Sequence, residues 1–280
     1  MKHAMPTQAE KAALLRSLHR PGDPLILINV WDAVSARIIE RLGFPALATT
    51  SAGVSWLEGY ADGERISRER MLEGVARVTR AVKLPVTADL EAAYGPSVDD
   101  AFDTAAGAIR AGAVGLNFED WDEKRAKLVD VEKQTARVAA MRKAGDDARV
   151  PLVINARTDV FLNKVGESDA WRLQEAVRRA NIYLDAGADC AFVPGVTDEA
   201  TIGALAAQIH GPINVLAAPR TPSVARLSEL GVARVSTGAS AMAYALTHLR
   251  QLASEVQQTG CFSFTANRMS HAELNSLFAE

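Results

Sequence analysis

The sequence predicts an α/β protein built as one (β/α)8 barrel of the TIM type over residues 1–280. Eight short apolar runs alternate with helical stretches, and most of these runs lack the strict alternation of half-exposed strands. The chain of 280 residues is 48% hydrophobic, and no Pro/Ser-rich linker divides it. A doubly wound open sheet is the alternative, weakened because no GxGxxG motif follows the first run.

The predicted strands recur along the whole chain, each followed by a stretch with helical features. They cover residues 25–31, 46–51, 86–91, 114–120, 152–158, 190–195, 213–219 and 233–238. Before the first strand, a short polar lead runs into an amphipathic helix within residues 1–18. That segment lacks the apolar core of a signal peptide.

Helix boundaries between the strands carry recognisable signals. Ser97 with Asp100, and Ser270 with Glu273, fit capping boxes. A glycine able to adopt the left-handed conformation precedes four of the strands: Gly43, Gly112, Gly187 and Gly231. This recurrence favours one βα unit used repeatedly.

Composition excludes several classes of function. The net charge of -3 comes without a basic stripe, so neither nucleic acid nor a membrane surface is an expected partner. No apolar run approaches the roughly 18 residues of a membrane span. Cys190 and Cys261 form no CxxC pair and are expected to be buried thiols in a reducing cytoplasm. The five histidines are scattered, which gives little support to a zinc site or a Ser-His-Asp triad.

In such a barrel the functional side chains lie at the carboxyl ends of the strands. Acids concentrate there at Asp89, Glu91 and Glu119, with Asp62 in the loop after the second strand. Asp89 and Glu91, two positions apart, share a face. Carboxylates crowded into one cleft stay ionised only beside a cation, and an all-oxygen set suits Mg²⁺, or alternatively Mn²⁺. As a loop residue, Asp62 also fits a simple turn role.

Other polar residues at strand ends have two interpretations. Asp32 is expected to cap a helix, and Asp120 and Asp159 to bond backbone amides or arginines. Arg157 could hold a substrate carboxylate in bidentate fashion, or form an ion pair with Glu119 or Asp159.

The second strand ends in small residues, followed by a predicted long loop over residues 52–66. Thr50, Ser51 and Ala52 would let backbone N–H groups approach an anion closely. The indoles of Trp31, Trp56 and Trp121 could line a pocket or serve packing.

Four motifs together resemble the isocitrate lyase / phosphoenolpyruvate mutase superfamily, in its short-chain group, which includes 2-methylisocitrate lyase, oxaloacetate decarboxylase and phosphonopyruvate-processing enzymes. They are the segments 89–95 (DLEAAYG), 117–120 (NFED) and 156–159 (ARTD), and the aspartate of GYAD at 59–62. Two departures from the family pattern stand out. Glu91 and Ala93 replace an aspartate and a glycine, and the loop after the fourth strand has no cysteine or histidine where the lyases carry their general acid.

The resemblance implies roles for these residues. Asp89 would bind Mg²⁺ directly or through water, and Glu91, Glu119 and Asp62 would hold the metal's waters. The substrate carboxylate would bind at the set Thr50, Ser51 and Ala52, with Trp31, Asn155 and Arg157 completing the substrate site. Family members are homo-oligomers, dimers or homotetramers, which exchange a C-terminal helix; residues 270–280 could form it or pack as an ordinary terminal helix.

The expected activity is that of a Mg²⁺-dependent lyase. It would cleave a carbon–carbon bond of a small 2-oxo or 2-hydroxy dicarboxylic acid through a metal-stabilised enolate, as oxaloacetate decarboxylase does, with Arg157 and Glu119 in the catalytic set and Tyr94 as proton donor. One alternative is phosphorus–carbon chemistry on phosphonopyruvate-like compounds, for which Lys124, Arg125 and Lys127 could hold the phosphonyl group. The other is a catalytically weak barrel that only binds a carboxylate.

Overall fold

The computed structural model describes residues 6–279 and shows a parallel sheet closed into a barrel. The first predicted strand is split at Ile28 into β1 (Leu25–Leu27) and β2 (Asn29–Val30). The first half pairs with the last strand of the sheet and the second half pairs with the next strand along the chain. This shared strand closes the ring, so the predicted TIM-type barrel is confirmed.

The other seven predicted runs each contain a barrel strand. These are β3 (Leu47–Thr49), β4 (Val86–Asp89), β5 (Gly115–Glu119), β8 (Val153–Arg157), β9 (Cys190–Phe192), β10 (Ile213–Leu216) and β11 (Arg234–Ser236). Around the ring the order is β1, β11, β10, β9, β8, β5, β4, β3, β2. A separate antiparallel hairpin of β6 (Trp121–Asp122) and β7 (Lys127–Leu128) follows β5.

Helices separate the strands throughout the described chain. They are α1 (Gln8–Ser17), α2 (Ala33–Arg41), α3 (Ser51–Leu57), α4 (Arg68–Ala81), α5 (Val98–Arg110), α6 (Val131–Asp147), α7 (Asp169–Asp185), α8 (Glu199–Gln208), α9 (Val224–Glu229), α10 (Ser240–Thr259), a 3-10 helix (Ser263–Asn267) and α11 (His271–Ser276). None of these described helices is both long and apolar enough to cross a membrane.

The predicted boundary signals are confirmed. Both capping boxes form, at the starts of α5 and α11. The four glycines before strands all have φ between 83° and 107°, a backbone conformation that costs glycine little. Asp32 caps α2 by accepting from the Ser35 amide at 2.7 Å.

The predicted loop after the second strand is wrong in its first half. We expected the strand to continue to Ser51, whereas β3 ends at Thr49 and α3 begins at Ser51. The Thr50 hydroxyl accepts from the Gly53 amide at 3.4 Å and caps this helix. The Thr/Ser run therefore supplies a helix cap, and the irregular loop covers only the residues between α3 and α4.

The barrel interior is polar, whereas the layer between strands and helices is apolar. Asn29, Asn117, Asn155 and Asn214 are all buried, and side-chain hydrogen bonds join them to neighbouring strands. The apolar core contains small residues of α5 and bulky residues of the flanking strands and helices. The interior thus offers hydrogen-bonding groups directly beneath the strand ends.

One of the two cysteines differs from the prediction that both are buried. Cys190 is buried in β9, and burial raises the pKa of its thiol to about 12. Cys261 is exposed and directly follows Gly260, the left-handed residue that ends α10. Near the C-terminus, Arg41 of α2 donates to the Ser276 carbonyl of α11. The exchange of this segment between subunits stays a prediction, as do the oligomeric state and the single domain.

Candidate active site

Three neighbouring strands present charged side chains at their carboxyl ends. Asp89, Glu119 and Arg157 are the last residues of β4, β5 and β8. These strands are adjacent in the ring, and Glu119 pairs in register with Arg157. The structure therefore gathers the acids and the cation that were predicted to share one end of the barrel.

The Asp89 carboxylate is bonded to the start of α3 and to a neighbouring strand. Its Oδ2 accepts from both the amide (3.0 Å) and the hydroxyl (2.8 Å) of Ser51. Its Oδ1 lies 3.5 Å from the Asn117 side-chain nitrogen, and its own amide donates to the Thr49 hydroxyl. One carboxylate oxygen is therefore well bonded, and the other is the less committed.

Glu91 reaches the site from a turn in an unfavourable backbone conformation. Residues 91, 93 and 94 have φ of 49°, 71° and 56°, in the left-handed region that suits glycine best. Ala93 occupies the position where the family motif has glycine. The buried Glu91 carboxylate accepts from the Glu64 amide at 2.5 Å and from the Tyr94 hydroxyl at 2.9 Å.

Glu64 is a residue that the sequence reasoning missed. Its amide donates to Glu91, while its carboxylate accepts from the Tyr94 amide at 2.6 Å. This reciprocal pair joins the loop after α3 to the turn after β4. Asp62 lies two positions earlier in that loop, near enough to Asp89 for the two charges to repel. The signal available in the sequence was an acid directly after the Asp62–Gly63 turn.

Arg157 is in fact bonded to both of the acids proposed as alternatives. Its Nη1 lies 2.7 Å from Glu119, while its Nε and Nη2 donate to Asp159 at 2.6 and 2.9 Å. Its guanidinium also lies 5.9 Å from the centre of the Phe192 ring. Arg157 is therefore held rigidly between two strand ends.

Asp120 and Asp159 have the structural roles predicted for them. Asp120 is fully buried and accepts from the Asp159 amide (3.0 Å), from Arg179 (3.0 Å) and from the Tyr183 hydroxyl (2.8 Å). Asp159 in turn orients Arg157. This buried network fixes the position of the Arg157 side chain at the carboxyl end of β8.

Burial together with repulsion between carboxylates raises the pKa of Asp62, Glu91 and Glu119. Burial, and then repulsion from Asp62, raise the pKa of Glu91 to about 7. Burial and repulsion from Asp89 also raise the pKa of Asp62. For Glu119, burial with repulsion from nearby acids outweighs Arg157 and raises the pKa. Among the residues described, Asp62, Asp89 and Glu91 form no ion pair with Lys, Arg or His. The cluster is therefore short of positive charge.

The donor set fits a cation bound mainly through water. Within residues 6–279, no three His, Cys, Asp or Glu side chains converge closely enough to ligate one metal ion directly. Mg²⁺ commonly takes one or two protein carboxylates and keeps several waters. Asp89 could supply its less committed oxygen, and Asp62, Glu91 and Glu119 could accept from the metal's waters.

The residues predicted to bind substrate lie at different depths. Thr50, Ser51 and Ala52 are buried at the start of α3, next to Asp89. Trp31 packs beside them, against Gly53 of the same helix: a methyl group in place of the Gly53 hydrogen would lie only 2.9 Å from the Trp31 Cβ.

Asn155 and two of the indoles lie elsewhere. Asn155 is fully buried inside the barrel and donates to Asn117 at 2.8 Å, so it lies below the mouth. Trp56 is 40% exposed, and Trp121 on the hairpin donates to Glu123.

Comparison with known proteins supports the resemblance drawn from the motifs. The phosphoenolpyruvate phosphomutase family model matches residues 15–257. Oxaloacetate decarboxylase of Rhodopseudomonas palustris (strain BisB5) is 32% identical, over 84% of this chain and 83% of that protein.

Solved structures share the architecture. A candidate phosphonomutase from Burkholderia cenocepacia J2315 superposes with a TM-score of 0.85 and 45% identity, over 89% of this chain and 99% of that one. Phosphonopyruvate hydrolase in complex with oxalate and Mg²⁺ has a TM-score of 0.82 at 22% identity, over 95% and 94% of the two chains. Because the family model spans most of the sequence, this chain belongs to the phosphoenolpyruvate phosphomutase family, and with it to the superfamily that the motifs indicated.

Proposed function

We propose that this protein is a Mg²⁺-dependent lyase that cleaves a carbon–carbon bond of a small 2-oxo dicarboxylic acid, with oxaloacetate decarboxylation as the reaction that fits best. The observation that carries the proposal is the acid cluster around Asp89, in which Asp62, Asp89 and Glu91 form no ion pair with any described cation. Family membership and the similarity to an oxaloacetate decarboxylase support it.

The site's own residues have defined tasks in this proposal. When bound, Mg²⁺ would stabilise negative charge that develops on the keto oxygen of the substrate. The Ala52 amide and the Thr50 hydroxyl would orient the carboxylate next to the keto group, and the Ser51 amide and hydroxyl would hold Asp89 beside it. Arg157, fixed by Glu119 and Asp159, would face the other anionic end of the substrate.

Proton delivery is assigned to Tyr94. In decarboxylation the bond between C3 and the leaving carboxylate breaks, CO₂ departs uncharged, and the electron pair remains as an enolate that takes a proton at C3. The Tyr94 hydroxyl is held 2.9 Å from Glu91, and burial followed by the nearby acids raises its pKa well above the ordinary value. It is therefore protonated at neutral pH, which a proton donor requires. The reaction needs no acid at the leaving group, which agrees with a loop that lacks cysteine and histidine.

Phosphorus–carbon chemistry is the second candidate, and the similarity to a candidate phosphonomutase at 45% identity favours it. A phosphonyl group would require cations besides Arg157. Of the loop residues considered for this, Arg125 pairs with Asp122 at 2.7 Å and is largely exposed, and Lys124 and Lys127 are exposed as well. These side chains therefore lie in solvent, which leaves decarboxylation the better fit.

The test is direct assay of the purified protein with oxaloacetate, phosphonopyruvate and 2-methylisocitrate, each with Mg²⁺ and with a chelator. We expect pyruvate from oxaloacetate only, and only with the metal. The Asp89→Asn variant should lose this activity, and Asp99→Asn, an exposed acid on α5, should retain it. Phosphate or phosphoenolpyruvate from phosphonopyruvate would establish the second candidate. Binding of oxaloacetate without products would establish the third, a barrel without catalysis.

A further inference from the structure

Arg234 is a buried cation to which the proposed reaction assigns no role. It lies on β11 with none of its surface exposed, and it forms no ion pair with any described acid. A buried guanidinium without a carboxylate partner is costly to keep. The sequence offered a signal that our reasoning missed, a charged residue inside a predicted barrel strand.

The hydrogen-bond partners of Arg234 are both neutral. His19 donates from Nδ1 to the Leu15 carbonyl at 2.8 Å, so the neutral ring presents its Nε2 lone pair to Arg234 at 3.4 Å. The second partner is the Asn117 Oδ1, at 3.0 Å from Nη2. Three strands separate β11 from β5 in the ring, so this second bond crosses the barrel interior.

These contacts decide which way the Asn117 amide points. Arginine has only donors, and Asn155 also donates to the same Oδ1 at 2.8 Å. Two donors fix the oxygen toward the barrel interior. The amide nitrogen of Asn117 therefore faces Asp89, whose Oδ1 lies 3.5 Å away.

We propose that Arg234 is a positioning residue for the metal site: it orients the Asn117 amide, which in turn directs the Asp89 carboxylate. This inference rests on the proposed function, because it gives Asp89 the role of principal metal ligand. Arg234 touches neither substrate nor metal in this account. Its effect on the site passes through Asn117.

The sign of the effect separates positioning from a simple charge role. Removing a buried positive charge beneath an acid cluster would, by Coulomb's law alone, strengthen the binding of a cation. Removing the group that orients a ligand weakens it, and loss of such an outer partner typically costs about 10- to 100-fold in metal affinity. The two roles thus predict changes in opposite directions.

The experiment measures the dissociation constant for Mg²⁺ by calorimetric titration of the full chain. The variants are Arg234→Met, Asn117→Leu and the double variant, with thermal melting to verify folding. Arg142→Met is the matched control, because Arg142 bonds Asp189 and carbonyls remote from the metal site. We expect R234M to bind Mg²⁺ at least about 10-fold more weakly, the double variant to bind no more weakly than N117L, and R142M to match the wild type.

The outcomes separate a failure of the positioning role from a failure of the proposed function. Absence of Mg²⁺ binding by the wild type would overturn the proposed function itself. Binding by the wild type together with equal or tighter binding by R234M would overturn the positioning role alone. If R234M does not fold, N117L decides the question, since unchanged Mg²⁺ affinity in that variant would show that Asn117 transmits nothing.

Discussion

Replacing Asp120 by alanine should cost the protein about 4 kcal/mol of unfolding free energy. Asp120 accepts three hydrogen bonds, from Arg179, Tyr183 and the Asp159 amide, and is fully buried. Each orphaned buried donor costs about 1–3 kcal/mol. Arg179 retains Glu175 at 2.7 Å and the Val129 carbonyl, which keeps the total toward the lower part of the summed range. Removing one partner of a buried pair typically costs about 3–5 kcal/mol, in agreement with this figure.

Urea unfolding of the wild type and Asp120→Ala measures this cost. An Asp120→Asn variant should fall between them, because asparagine keeps one acceptor but loses the charge. The control is Glu229→Ala, which breaks an exposed pair with Arg226 and should change the unfolding free energy by no more than about 1 kcal/mol. A loss below about 1 kcal/mol in Asp120→Ala would refute the reasoning, because it would mean that the buried donors find water or new partners.

Three further predictions concern pH, catalysis and packing. Burial lowers the pKa of His19 from 6.5 to about 4, so between these pH values the unfolded chain binds a proton that the folded chain does not. As the pH falls from 6.5 to 4, the wild type should therefore lose up to about 3 kcal/mol of stability relative to His19→Gln. Urea unfolding of both proteins across that range measures the loss. Tyr94→Phe removes the proposed proton donor and a bond to Glu91, so kcat should fall about 100-fold with circular dichroism unchanged, and an unaltered kcat would place the donor elsewhere. Gly53→Ala puts a Cβ 2.6 Å from a methyl carbon of the threonine that caps α3, so it should lower stability by about 1–3 kcal/mol. Gly203→Ala meets its nearest atom at 3.4 Å and should instead stabilise α8. Thermal melting of both variants checks the two signs.

The barrel was predictable because its signals are local. Apolar runs of strand length and the left-handed glycines before four strands each report on a few neighbouring residues. The convergence of Asp89 with Glu119 followed from topology, since the carboxyl ends of neighbouring parallel strands meet at one face of the barrel.

What was missed depends on contacts between segments distant in sequence. The role of Glu64 becomes visible only when its loop meets the turn at residues 91–94. The proposed role of Arg234 depends on a hydrogen bond across the barrel to Asn117, which lies 117 positions earlier in the chain. The start of α3 was not predicted for a different reason, because Thr50 is equally suited to end a strand or to cap a helix.

The mutual hold between Glu64 and Glu91 has an evolutionary consequence. Each side chain bonds backbone of the other segment, so neither can be exchanged without disturbing its counterpart. An aspartate at position 91, one methylene shorter, would fall short of the Glu64 amide. Relatives with the shorter acid would therefore have to fold residues 62–64 along another path, and the two segments should change together as the family diverges.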